Sequence, residues 1–174
     1  MNTKRDEHDY TPLMNWIVYK KNECIPNELK YPNWKKDTFL FYITPILLWI
    51  IHRKDEPIPE ELKYDDWDQH KIEYSYITVM FWIECRKNEP IPETIKCDNW
   101  YDSKKYTFLI FDWIEYRQNE PIPEYLKYEG WTNSLDRNNK SPATLWNEFR
   151  SNEPHPIGLK RNRLIFFDLK WRTK

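Results

Sequence analysis

Glycine occurs only twice, at Gly130 and Gly158, and alanine once, at Ala143. Two glycines leave no room for a glycine-rich phosphate loop, and there is no Gly-x-Ser-x-Gly nucleophile elbow. Cysteine is also scarce. Cys24, Cys85 and Cys97 are odd in number and lack Cys-x-x-Cys spacing, which argues against a zinc or redox site and against a disulfide framework. The four histidines, His8, His52, His70 and His155, share no metal-ligand spacing, and no serine sits in a nucleophile context. The expectation is a non-enzyme with no catalytic residues, no metal and no cofactor.

Long apolar runs are missing as well. The longest, "FLFYITPILLWII" at Phe39 to Ile51, is broken by Thr-Pro and falls short of the ~20 residues that span a bilayer. The start "MNTKRDEHDY" has no signal-peptide core. A soluble cytoplasmic protein without a membrane partner is expected. Nor does one charge sign dominate: 27 Lys and Arg face 28 Asp and Glu, so the balance points to neither a nucleic-acid binder nor an acidic decoy.

What is abundant is more informative. Lys, Asn, Ile, Tyr and Phe, which have AT-rich codons, are plentiful, and against that bias 13 Pro and 10 Trp stand out as residues kept for structure. Taking Trp16, Trp49, Trp82, Trp113 and Trp146 as anchors, the spacings are 33, 33, 31 and 33 residues. The chain is an internal repeat. One domain divides into units at about 1–34, 35–67, 68–100, 101–131 and 132–174, the last a divergent cap. Four residues after each anchor stands Lys20, Arg53, Arg86, Arg117 or Arg150. Seven after stands Glu23, Glu56, Glu89, Glu120 or Glu153. Ten after is always proline: Pro26, Pro59, Pro92, Pro123 and Pro156. A second tryptophan closes four units, at Trp34, Trp67, Trp100 and Trp131.

Each unit has a physical reading. Thr-Pro in "TPLMNWIVYKK" and "TPILLWIIHRK" is an N-cap followed by a first-turn proline, whose missing N–H would have been unpaired anyway. Leu13, Trp16 and Ile17, like Ile46, Trp49 and Ile50, fall at i, i+3 and i+4, predicting an apolar stripe on a helix of about three turns. The helix is expected to stop near the Glu that precedes proline, as in "EPIPE". Pro59 is then expected at the first position of a second short helix, "PEELKY", with Glu60 and Glu61 at its positive end and Lys63 toward its negative end. One turn beyond Trp49, Arg53 should stack on the indole, a contact of about 0.5–2 kcal/mol, and Glu56 should pair with it. An active site needs one such pair and a stacked scaffold needs many. Trp16, Trp49, Trp82, Trp113, Trp146, Arg53, Arg86, Arg117, Pro59, Pro92 and Pro123 are therefore assigned to the scaffold.

The 33-residue period, the Thr-Pro openings "TPLM", "TPIL" and "SPAT", and "WTNSLDRNNKSPATLW" at 131–146 resemble the ankyrin repeat. The resemblance implies an all-α solenoid of about five units, each with two antiparallel helices, and a hairpin finger over 131–146. Tryptophan stands where that family carries a small residue, and Pro-Ile-Pro replaces its glycine turn. "KKDTFLFYI" and "YDSKKYTFLI" are open to strand or to an extension of the helix start.

Positions that the units do not share are free to contact a partner. Two and three residues after the anchors these are Val18-Tyr19, Ile51-His52, Glu84-Cys85, Glu115-Tyr116 and Glu148-Phe149. By the ankyrin resemblance the helix end belongs to a concave binding face, and Leu40-Phe41, Glu73-Tyr74, Lys104-Lys105 and Arg137-Asn138 are hairpin tips. The candidate partner-binding residues are Tyr19, His52, Cys85, Tyr116, Phe149, Phe41, Tyr74, Lys105 and Asn138. The expected function is stoichiometric binding of another protein. The AT-rich signature and small size suggest a viral or mobile-element inhibitor of a host defence component. The competing reading is nucleic-acid binding through aromatic side chains with Lys104, Lys105, Arg137, Lys140 and the tail from Lys160 to Lys174.

Overall fold

The computed structural model describes residues 4–38, 43–63, 72–92, 95 and 108–159. The protein is all-α. Its helices are α1 (Pro12–Tyr19), α2 (Pro45–His52), α3 (Ile72–Cys85), α4 (Leu109–Tyr116) and α5 (Pro142–Phe149), and the described residues form no strand beyond an isolated bridge at Ile43. Each anchor tryptophan lies on one of these helices. The helices pack in chain order, α1 on α2, α2 on α3, α3 on α4 and α4 on α5.

Helix starts follow from the Thr-Pro pairs. The hydroxyls of Thr11 and Thr44 accept from the backbone N–H of Met14 and Leu47 at 3.3 and 3.4 Å, and Ser141 accepts from Thr144 at 3.2 Å. Each cap satisfies one of the orphan donors of a helix N-terminus, worth about 1 kcal/mol.

Four of the five helices have eight residues, about 12 Å long, rather than the three turns the periodicity suggests. They end four residues before the recurring glutamate, which precedes proline except after α1, where Glu23 precedes Cys24. The backbone of Arg53, Arg117 and Arg150 has already left the helical region. The next residues form a turn in which the N–H of Glu56, Glu89, Glu120 or Glu153 reaches the carbonyl of the arginine three residues earlier. Asn22, Asn88 and Asn119 occupy this turn at φ near +60°, a left-handed conformation that asparagine tolerates better than most side chains.

In units one, two and four the second helix is a single 3₁₀ turn: Asn27–Leu29, Glu60–Leu62 and Glu124–Leu126. Pro59 and Pro123 are extended residues just before their turns and not helical first positions. The carbonyls of Pro26, Pro59, Pro92, Pro123 and Pro156 accept from the N–H three residues on, so proline, which cannot donate, still closes the turn. Glu60 and Lys63 pair across the turn at 2.5 Å, as do Glu124 and Lys127. The stretch 131–146 holds a 3₁₀ turn at Trp131–Asn133 and a loop closed by Asp136 on Lys140, where the resemblance implied a hairpin. Residues 39–42 of the first ambiguous segment and 101–107 of the second lie outside the described residues.

The core is one continuous cluster through all five units. It contains Trp49, Trp82, Trp113 and Trp146 with the isoleucine that follows the anchor in each of the first four units: Ile17, Ile50, Ile83 and Ile114. The hinge isoleucines Ile25, Ile91 and Ile122 are buried and Ile58 is half-buried against the same cluster. Trp34 and Trp131 are buried too, whereas Trp16 is only partly covered; Trp67 and Trp100 lie outside the described residues.

Candidate functional site

Arginine sits where hydrophobic residues dominate. Arg53, Arg86, Arg117 and Arg150 are 0–3 % exposed, and a guanidinium buried without partners is prohibitively costly. Each is held three ways. Its plane lies over its own anchor, 4.2 Å from the Trp49 ring centre for Arg53, 5.3 Å from Trp82 for Arg86, 4.8 Å from Trp113 for Arg117 and 3.9 Å from Trp146 for Arg150. Its charge is paired with the glutamate three residues on, at 2.5–2.9 Å. Its remaining N–H groups reach back into the preceding unit. Arg117 donates from Nε to Ile83 O at 2.8 Å, and from the Nη groups to Trp82 O at 3.1 Å and Glu89 O at 3.0 Å. Arg53 does the same with Ile17 O, Trp16 O and Glu23 O. Arg86 takes Arg53 O and Glu56 O, and Arg150 takes Glu120 O.

The glutamates complete each junction. Glu56, Glu120 and Glu153 accept from the N–H of Asn22, Asn88 and Asn119 in the preceding unit, at 2.8–3.1 Å. The bond with Arg150 holds the Glu153 carboxyl below its usual range. Unit one has no described unit before it, and there the position is Lys20, exposed. The four buried arginines and three of the recurring glutamates thus bond across unit boundaries.

The unshared positions lie elsewhere. Tyr19, on the last turn of α1, is 71 % exposed. His52 and Cys85 end α2 and α3, both half-buried. Burial, with a smaller contribution from Lys21, lowers the His52 pKa, and burial raises that of the Cys85 thiol. Tyr116 and Phe149 end α4 and α5 with one side packed on the core. Each of the five is the last residue of its helix, so helices packed in chain order carry one register position as a strip at their C-terminal ends. Asn138 is exposed in the 136–140 loop. Phe41, Tyr74 and Lys105 lie outside the residues whose side chains are described.

Beside the strip, charge is unevenly placed. The residue two after the anchor is Val18 in unit one and Ile51 in unit two, then Glu84, Glu115 and Glu148. One turn before Glu115, Asp112 occupies a position that is Leu48, Phe81 and Leu145 in three other units. Its Oδ2 is buried without a hydrogen-bond partner, and burial, with Glu115 and Glu84 close by, pushes its pKa up to about 7 against the opposing pull of Arg137. Burial first and Glu115 next raise the Tyr116 hydroxyl. The C-terminal half of the strip is therefore an acidic and aromatic patch. Sequence reasoning missed Asp112; the signal was a lone carboxylate in a register position otherwise apolar in units two, three and five.

The basic residues of the competing reading are engaged locally. Lys140 is bonded to Glu148 at 2.6 Å, and Arg137 lies 5.1 Å from the Phe108 ring centre. Lys104, Lys105 and residues 160–174 lie outside the described residues.

Unit five departs from the pattern on one face. Asn147 stands where units one to four have Ile17, Ile50, Ile83 and Ile114, and His155 where they have Ile25, Ile58, Ile91 and Ile122. The two replacements meet: Asn147 Oδ1 and His155 Nε2 are 3.0 Å apart. In unit five a hydrogen-bonded polar pair stands where the earlier units have two isoleucines.

No described helix is long and apolar enough to cross a membrane. Compared with known proteins, the chain matches no family model, no curated protein and no solved structure. The fold itself defines the class: an all-α array of short helices stacked in sequence order.

Proposed function

We propose that the protein is a non-catalytic, ankyrin-like repeat solenoid that binds another protein through the strip at its helix C-termini. One observation carries the reading: the arginines that recur from unit to unit are buried between units, while the last residue of each helix, which differs from unit to unit, takes no part in those junctions. A repeat array presents such strips as extended binding surfaces. Glu84, Glu115 and Glu148, beside Tyr116 and Phe149, suit a partner surface that carries Lys or Arg among apolar groups. The same carboxylates repel a phosphate backbone, which disfavours nucleic acid at this strip. The partner envisaged is a host protein, with a defence component the specific form suggested by the coding bias.

The test is charge reversal on the strip. Glu84→Lys with Glu115→Lys should leave the melting temperature nearly unchanged, since both side chains are only half-buried and neither joins a junction. The double variant should lose proteins captured from a host lysate by the immobilised wild-type chain in the presence of nuclease. An unchanged captured set would reject the strip as the interface.

A further inference from the structure

The units stack through one face, and unit five leaves its copy of that face open. The residue after the anchor marks the face, because the next unit's arginine bonds its carbonyl at Ile17 and Ile83. With the residue two before the anchor, it gives Met14 and Ile17 in unit one, Leu47 and Ile50 in unit two, and Phe111 and Ile114 in unit four. All six are at most 4 % exposed. In unit five the same positions are Thr144 and Asn147, both exposed, and no described unit follows to cover them.

At every described junction this face seats an arginine. The carbonyl seven residues after the anchor accepts from the next unit's guanidinium all four times: Glu23 O from Arg53, Glu56 O from Arg86, Glu89 O from Arg117 and Glu120 O from Arg150, at 2.6–3.4 Å. At three junctions the glutamate three residues beyond that arginine accepts from the N–H of Asn22, Asn88 or Asn119, six residues after the anchor. Unit five repeats both groups, as Glu153 O and Asn152 N–H. Among the described residues no guanidinium reaches Glu153 O, which has the Trp146 indole N–H at 3.5 Å instead. The indoles of Trp49, Trp82 and Trp113, in units whose carbonyl is taken by an arginine, have no hydrogen-bond partner among the described residues. The long indole contact thus occupies a place where the other units hold a charged donor, which makes the stronger bond.

We propose that the open face of unit five docks an arginine of a partner protein that carries an acidic residue three positions further on, the guanidinium donating to Glu153 O and the carboxylate accepting from Asn152 N–H. Continuity with the four junctions fixes this chemistry, since the same groups bind the same pair inside the array. A second copy of the chain fits less well. Its unit one offers Lys20 at the arginine position, and lysine has no planar fork. Asn147 and His155 also replace the isoleucines on which a repeat unit would pack. The seat is made of unit-five backbone and is independent of the strip proposed above.

The test uses the full ¹⁵N-labelled chain and the peptide N-acetyl-Arg-Ala-Ala-Glu amide, with N-acetyl-Lys-Ala-Ala-Glu amide as a control of equal charge. The arginine peptide should shift the Trp146 indole N–H saturably, as its contact with Glu153 O is displaced. The backbone amides of Asn147 and Glu148, which follow the Trp146 and Asn147 carbonyls, should move with it, as should that of Asn152. The lysine peptide should bind roughly tenfold more weakly, the effect of one lost charge-assisted hydrogen bond. Thr144→Lys, at an exposed position on the same face, should weaken the arginine peptide several-fold by like-charge repulsion. Should that variant fail to fold, the two wild-type titrations decide alone. The Glu84→Lys, Glu115→Lys chain should bind the peptide like wild type, so failure of the strip and failure of the seat are distinguishable. The proposal is overturned if the two peptides bind alike or if neither shifts Trp146. It is equally overturned if the arginine peptide binds only once Arg161, Arg163 and Arg172 are all replaced by glutamine, which would assign the seat to the chain's own segment. Binding that occurs only as a dimer dissociates in sedimentation would overturn it in favour of a second copy.

Discussion

Arg117 spans a unit boundary to donate from Nε to the carbonyl of Ile83 at 2.8 Å, 34 residues earlier in the chain. Ile83 is near the end of α3, where helix carbonyls run out of intrahelical partners. The arginine of one unit thus caps the helix of the unit before it. The stack of a guanidinium on an indole, which the i, i+4 spacing suggests, is the smaller part of its role.

Arg117→Lys tests that division. Lysine keeps the charge but has neither the fork nor the reach to serve Ile83 O, Trp82 O, Glu89 O and Glu120 together. Loss of roughly 2–4 kcal/mol of stability is expected in urea denaturation. Lys20→Arg, at an exposed site with no described unit before it, should change stability by less than about 0.5 kcal/mol. Equal effects at the two positions would mean that inter-unit capping does not matter.

Much of this was readable beforehand, and the limits have physical causes. Trp, Arg, Glu and Pro were legible because they recur at fixed offsets from an anchor. The Thr-Pro starts were legible because an N-cap needs a particular side chain. What the arginines hold was not legible, since their partners are backbone carbonyls, which every residue carries. The helix ends were placed too late because proline was read as the stop signal. In the structure the stop comes earlier, where the arginine turns toward its neighbour. The second helix shrank to a 3₁₀ turn for a related reason. Pro59 closes its turn through its carbonyl three residues on, and extended backbone resumes at Lys63. The candidate strip was legible only by comparing units with one another. Asp112 escaped because that comparison was made after the anchors and not before them.

Asp112 gives the protein a pH dependence of defined sign. Its pKa lies near 7 in the folded chain, well above the ordinary 3.8, so the folded state holds its proton more tightly than the unfolded state. Stability contributed by this group is then full below about pH 4 and declines toward pH 7, by up to roughly 1.4 kcal/mol per pH unit. The groups facing it are Glu84, Glu115, Tyr76, Tyr116 and Arg137. Asp112→Leu, which restores the residue used in units two and five, should raise stability at pH 8 and flatten the stretch from pH 4 to 7. A slope unchanged in the variant would show that the carboxylate is solvated after all.

The polar pair on unit five is equally open to experiment. Asn147→Ile with His155→Ile would recreate the apolar pairs of the four earlier units on a face where Thr144 and Asn147 are exposed. Self-association should follow, seen as a rise in sedimentation coefficient with concentration, while wild type sediments independently of concentration. A double variant that behaves as wild type would show that Asn147 and His155 do not guard that edge.

The arginine contacts also give the array a direction. At each described junction the guanidinium comes from the later unit and the carbonyls from the earlier one. The glutamate and the asparagine N–H repeat the same order, with the later side chain reaching back to earlier backbone. A unit can therefore supply the backbone half of a junction as soon as its own helix has formed, but its side-chain half has no target until its predecessor is folded. Growth from the amino end always finds its docking surface ready. Growth from the other end leaves each charged fork without its backbone acceptors until the earlier unit folds, so the two ends of the array present chemically different docking surfaces.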